Sequence, residues 1–330
     1  MPLKDQGPHA TGSPVNRIPE VETSAASIPL LADVSKLDNY YQIPATPTTR
    51  LVRELLGANV EITEVHTTGG RVHVSLRNRH NGKEFVPYLA IATDKWSTCE
   101  RLLTGAYPFG VKVACGILSN ASGREFRLNK DGFLDVLGFK RDEINRDQCH
   151  RSSNYNRLND TLGLLESLCL PVYKYDKKKK VKVLSGHEPF LLQTEIPATK
   201  HFSGLNYRIG GDVTGRYGWI DKRWLTEDAN RHPYVVLLYP FLGWQWELGW
   251  HQHRGTFKRN VPAVLRDIGA GYDKGNYART VHRLEDELGY METKGYIGSL
   301  AFHRQEDRLL VSIEAPEDHP TKTLRQGREN

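Results

Sequence analysis

The chain has 330 residues, 38% apolar and 25% charged, with a formal net charge of +6 and a sequence pI near 9.0. That length suits two or three domains with real cores, and the charge admits nucleic acid without arguing for it. The four cysteines (Cys99, Cys115, Cys149, Cys169) form no CxxC pair, which excludes a zinc-finger spacing or a disulfide framework and points to a reduced cytoplasmic compartment.

Residues 1 to 45 are rich in Pro, Ser, Thr and Gly and read as a disordered tail without a signal-peptide pattern. A short helix is expected over Thr48 to Leu56, closed by Gly57. From Asn59 to Asp94 alternation takes over: Val60 and Ile62, then Val72, Val74 and Leu76, then the apolar run from Phe85, with turns at Gly69-Gly70 and Asn81-Gly82. This predicts a small antiparallel β-meander packed on the domain that follows.

Val111 to Leu118 reads as a helix and Glu125 to Leu128 as a short strand. Phe133, Leu134 and Leu137 have helical spacing, and Gly138 stops that helix. After a polar connector, Leu158, Leu162, Leu165 and Leu168 give a second helix an apolar face, while Asn154, Asn156, Arg157 and Asp160 occupy its first turn and opposite face. Two β-prone runs follow, Val172 to Tyr175 and Val181 to Val183, joined by Asp176 and four lysines. Helix, turn, helix and basic hairpin is the order of a winged helix, whose second helix enters the major groove while the hairpin follows the backbone. Between Lys140 and Lys182 stand eleven Lys/Arg against six Asp/Glu, so nearly all of the chain's positive excess sits here. A lysine run alone is only a solvated turn; placed after an Asn/Arg-bearing helix it reads as a phosphate-contacting wing.

Residues 197 to 231 read as a linker, whose glycines (Gly210, Gly211, Gly215, Gly218) lack the GK[ST] of a nucleotide loop. A second unit over 232 to 316 repeats the order. An apolar, Trp-rich segment from Val235 to Trp250 is too interrupted for a membrane span. A short helix (Val261, Val264, Leu265, Ile268) ends at Gly269, and another carries Tyr277, Val281, Leu284 and Leu288 inward. Lys274, Asn276, Arg279, Thr280 and Arg283 are expected on its outward face or leading turn, and a hairpin from Tyr296 to Ile313 completes the unit. The duplication reads as architectural, without a residue-level repeat. Residues 317 to 330 form a polar tail.

The expected fold is thus α+β: two winged-helix domains in tandem (46–196 with the N-terminal meander, and 232–316), a linker and a disordered tail. The segments FRLNKDGFLDVLGFKR, NYNRLNDTLGLLESLCLPVYKYDKKKKVKV and VPAVLRDIGAGYDKGNYARTVHRLEDELGYMETKGYI resemble the plasmid replication initiators of the RepA/TrfA type over roughly Val111 to Pro316. The resemblance implies double-stranded DNA as partner, at repeated origin sites, with host replication proteins supplying helicase and polymerase. It also implies a repressing homodimer beside an initiating monomer. No cofactor, metal or membrane is expected.

In physical terms Asn154 and Asn156 are placed to read adenine edges and Arg157 to read guanine. Lys177, Lys178, Lys179, Lys180 and Lys182 are placed to hold phosphates, and Asn276, Arg279, Thr280 and Arg283 are the second unit's counterparts. A winged-helix transcriptional regulator is the alternative within DNA binding. The enzyme alternative is a relaxase-like rolling-circle endonuclease built on His251-Gln252-His253. It is disfavoured because Gln replaces the apolar residue between the histidines and no tyrosine nucleophile stands at a convincing spacing.

Overall fold

The computed structural model describes residues 39–44, 46–57, 60–79, 84–120, 125–142, 149–176, 178, 180–194, 204–210, 217–248, 255–270 and 275–322. All of them fall in one compact unit, Val34–Asn330, of mixed α+β structure with several antiparallel sheets.

The chain opens with β1 (Tyr40–Pro44) and α1 (Pro47–Leu56). Thr46 and Thr49 cap α1 reciprocally, side chain to backbone, and Pro47 supplies a first helical residue that has no N–H to satisfy. Strands β2 (Val60–Thr68), β3 (Arg71–Asn78) and β4 (Glu84–Ala92) form the expected meander. Its inner face buries Val72, Val74, Leu76, Leu89 and Ile91. Then come α2 (Trp96–Leu103) and α3 (Pro108–Asn120), the latter buried throughout 111–118.

From α3 onward the molecule is built twice. The first pass is α3, β5 (Glu125–Asn129), α4 (Lys130–Val136), α5 (Ser152–Ser167), an inserted hairpin of β6 (Leu168–Asp176) and β7 (Val181–Pro189), then β8 (Leu191–Gln193) and β9 (Gly204–Ile209). The strand β10 (Tyr217–Asp221) and a 3-10 turn, Lys222–Thr226, lead into the second pass. That pass is α6 (Pro233–Leu248), β11 (Thr256–Asn260), α7 (Val261–Asp267), α8 (Tyr277–Thr293), β12 (Leu300–Gln305) and β13 (Arg308–Glu314). The sheet orders are β5-β9-β8 and β11-β13-β12. In both, the last strand lies between the first and the second. Without the β6–β7 hairpin the two passes have the same element order and the same sheet topology.

The repeat reaches the residue level, against the expectation of an architectural duplication only. Asn129 ends β5 and caps α4, its Oδ1 accepting from the N–H groups of Asp131 and Gly132. Asn260 ends β11 and caps α7, its Oδ1 accepting from Ala263 N. Phe133, Leu134 and Leu137 in one pass match Val264, Leu265 and Ile268 in the other, all buried. Both helices close on a glycine in the left-handed region, Gly138 (φ 81°) and Gly269 (φ 65°), a conformation that costs any residue with a Cβ. The following residues close the same turn, Phe139 N donating to Leu134 O and Ala270 N to Leu265 O.

Three expectations are corrected. The tail does not extend to residue 45, because Tyr40–Pro44 pairs with β10, a partner too distant in sequence for local periodicity to reveal. The lysine hairpin β6–β7 is not the outer hairpin of its repeat. Through β4·β6 pairing it joins the meander as a five-stranded sheet, β2-β3-β4-β6-β7, and the outer position goes to β8–β9. Residues 197 to 231 are not a plain linker, since β9 is the central strand of the first repeat's sheet. Glycines hid this: Gly210 and Gly218 lie where a Cβ would meet the Pro189 carbonyl and Trp244 at 2.1 and 2.4 Å.

Candidate nucleic-acid interface

Each repeat offers one helix with a polar head. In the first it is α5. Asn156 is exposed and Asn154 half-buried. Arg157 is turned inward: its guanidinium lies 4.1 Å over the Phe109 ring and donates to Asn230 Oδ1 at 3.4 Å. Behind the head, the Tyr155 hydroxyl donates to the Asp131 carboxylate, and burial together with that bond pushes the phenol up to about 12. His150 is buried beside them, its Nε2 3.1 Å from Asp135 Oδ1. The Arg141 guanidinium, bonding to Asp135, holds that carboxyl below the usual range. Lys130 Nζ reaches across to Asn159 Oδ1 at 2.7 Å, so α4 and α5 are tied at their exposed edges.

In the second repeat the helix is α8, whose N-cap is Asn276; an Asn-Tyr-x-Arg sequence spans that cap (Asn276-Tyr277-Ala278-Arg279), and the same sequence starts at the third residue of α5 (Asn154-Tyr155-Asn156-Arg157). Asn276 and Arg279 are exposed, as is His282, whose side chain is 75% accessible. Thr280 is not on the outward face. It is 8% exposed, and its hydroxyl donates to Asn276 O at 3.0 Å, bonding back into its own turn. Arg283 is half-exposed, lies 4.9 Å over the Tyr234 ring and reaches Glu287 at 3.3 Å. Glu287 in turn accepts the backbone N–H groups of Tyr234 and Val235, supplying the first turn of α6 with a distant cap. Burial raises its pKa above the usual carboxylate range against those bonds.

Lys178 and Lys180 are exposed on the turn of the β6–β7 hairpin, where Lys180 adopts φ 52°. Lys177, Lys179, Lys274, the Lys182 side chain and the pair His251/His253 lie outside the described residues. The helices α5 and α8 thus occupy the same place in the element order of the two repeats, and the lysines stand on a separate insertion. Among the described residues no group of three or more His, Cys, Asp or Glu side chains is placed to hold a metal ion, and no single helix is long and apolar enough to cross a membrane.

His282, Lys130 and Asn159 are additions that the sequence alone did not single out. Neither a family model nor a curated protein matches the chain by sequence.

Proposed function

We propose that the two repeats are winged helices in tandem and that the protein is a non-enzymatic, sequence-specific double-stranded DNA-binding protein acting in the cytoplasm as a plasmid-type replication initiator. The supporting observation is the repeat itself: helix, strand, helix, helix, hairpin, with the last strand central in each sheet, and polar, basic residues near the start of both α5 and α8. A helix of this kind reads three or four base edges from its leading turns. On α8 these are Asn276, Arg279, His282 and Arg283; on α5 they are Asn154 and Asn156, with Arg157 reaching DNA on leaving Phe109. The β12–β13 turn and β8–β9 are the wings of this reading, and the lysines of β6–β7 form a second, sequence-independent phosphate contact.

The test is a footprint of the full chain on the DNA flanking its gene, with and without Mg²⁺ or Mn²⁺. Protection of several direct repeats with intact strands is the expected result. One protected promoter palindrome makes the protein a regulator instead, and a metal-dependent nick makes it a nuclease. Uniform binding without sequence preference contradicts the assignment of both helices.

A further inference from the structure

Glu227 stands where the two repeats meet, and it serves both. Its backbone carbonyl accepts from Lys112 Nζ of α3 at 2.5 Å, while its carboxylate accepts from the hydroxyls of Tyr290 and Tyr296, at 3.0 and 2.5 Å, at the end of α8. The residues around it do the same. Gly138, closing α4, is so near that a Cβ would come within 2.8 Å of the Thr226 backbone. Asn230 accepts from Arg157 of α5, and His232 stacks on Tyr290 with ring centroids 4.0 Å apart. One short segment, 226 to 232, thus touches α3, α4, α5 and α8. Lys112 and Glu227 are both buried, so breaking the arrangement would orphan polar groups away from water. A second tie runs from α1, where Arg53 donates to Asp267 O of the second repeat at 2.5 Å and lies over Phe241.

We infer that the 226–232 segment is a ruler: it fixes α5 and α8 at one distance and angle, so that the DNA target consists of two half-sites at a single spacing, with Glu227 as the positioning residue. The inference rests on the DNA-binding reading above. One added base pair moves the second half-site by ~3.4 Å and turns it by ~35°. Buried, close-packed groups do not follow such a displacement without losing their partners.

The experiment starts with selection of duplexes from a random pool by the full chain, followed by affinity measurements on the selected target with one or two base pairs inserted between its half-sites. For the wild type one spacing is expected, and one inserted pair should weaken binding at least ~10-fold, about the loss of one good base contact. Glu227→Ala with Lys112→Met should bind the inserted and original targets within a few-fold of each other, whereas Glu227→Gln, which keeps an acceptor oxygen for the tyrosines, should stay strict. Should the double variant not fold, Tyr290→Phe with Tyr296→Phe, which removes only two hydroxyls, takes its place. Equal wild-type affinity across spacings overturns the ruler but leaves DNA binding standing. An equally strict variant overturns the role of the segment, and enrichment of no duplex overturns both readings.

Discussion

Asn129 and Asn260 do the same work in two places: each ends a strand, and each turns its side-chain oxygen back to cap the helix that follows. Loss of such a cap typically costs about 1 kcal/mol. Asn260→Ala and Asn129→Ala should each lower the free energy of urea unfolding by about that amount, and Asn→Asp at either position should cost much less. Unchanged unfolding curves for both alanine variants would mean that the caps contribute nothing to the repeat.

The two arginines of the Asn-Tyr-x-Arg signature should behave differently. Arg157 is held over Phe109 and bonded to Asn230, a stacked contact worth roughly 0.5–1 kcal/mol at a partly exposed site. Arg157→Ala should therefore lower the melting temperature, whereas Arg279→Ala, on an exposed position, should leave it unchanged. Equal thermal shifts for the two would contradict the inward placement of Arg157.

The lysine turn predicts a salt effect. Replacing Lys177 to Lys180 with Ala should weaken binding to all duplexes alike and flatten the dependence of log affinity on log salt by up to about four phosphate contacts, each contributing about 0.9 to the slope. An unchanged slope would remove the β6–β7 hairpin from the interface.

Local pattern carried many of the elements: the meander strands, α3, β5, α4, α5, α7, α8 and the hairpin of the second repeat stand near where alternation, helical spacing and stop glycines place them, whereas α2 and β11 were not expected. What it could not carry was pairing between distant segments. The β6–β7 hairpin looks like a wing because it follows α5 directly, yet its partner is β4, which lies before α5 in the chain. The strands β1 and β9 are short, and what identifies them is a mate far along the chain, Tyr217–Asp221 for one and Glu125–Asn129 for the other. At the site, Thr280 stands in the leading turn of α8 but faces the core, because a threonine in a helix can satisfy its hydroxyl on its own turn.

His319 gives the fold a pH dependence. It is buried between the rings of Tyr40 and Trp246, and its Nδ1 accepts from Thr321 N. Burial lowers its pKa from 6.5 to about 4, with the Trp219 backbone pulling the other way. The unfolded chain therefore takes up the proton first as pH falls, so stability present above about 6.5 is lost progressively down to about 4, on the order of 3 kcal/mol. His319→Asn keeps an acceptor for Thr321 and cannot titrate. Unfolding measured from pH 7 to 4 should show the wild type losing more stability than the variant, and parallel curves would contradict the burial argument.

The most direct test of the account is the affinity of the full chain for its selected duplex and for a scrambled duplex at one fixed salt concentration, with the wild type and Arg279→Ala side by side. The wild type should prefer the selected duplex by at least ~10³-fold. Arg279→Ala should lose about 1–3 kcal/mol of that preference at one base position, with its affinity for the scrambled duplex little changed. Equal wild-type affinity for the two duplexes, or an Arg279→Ala variant as selective as the wild type, would contradict it.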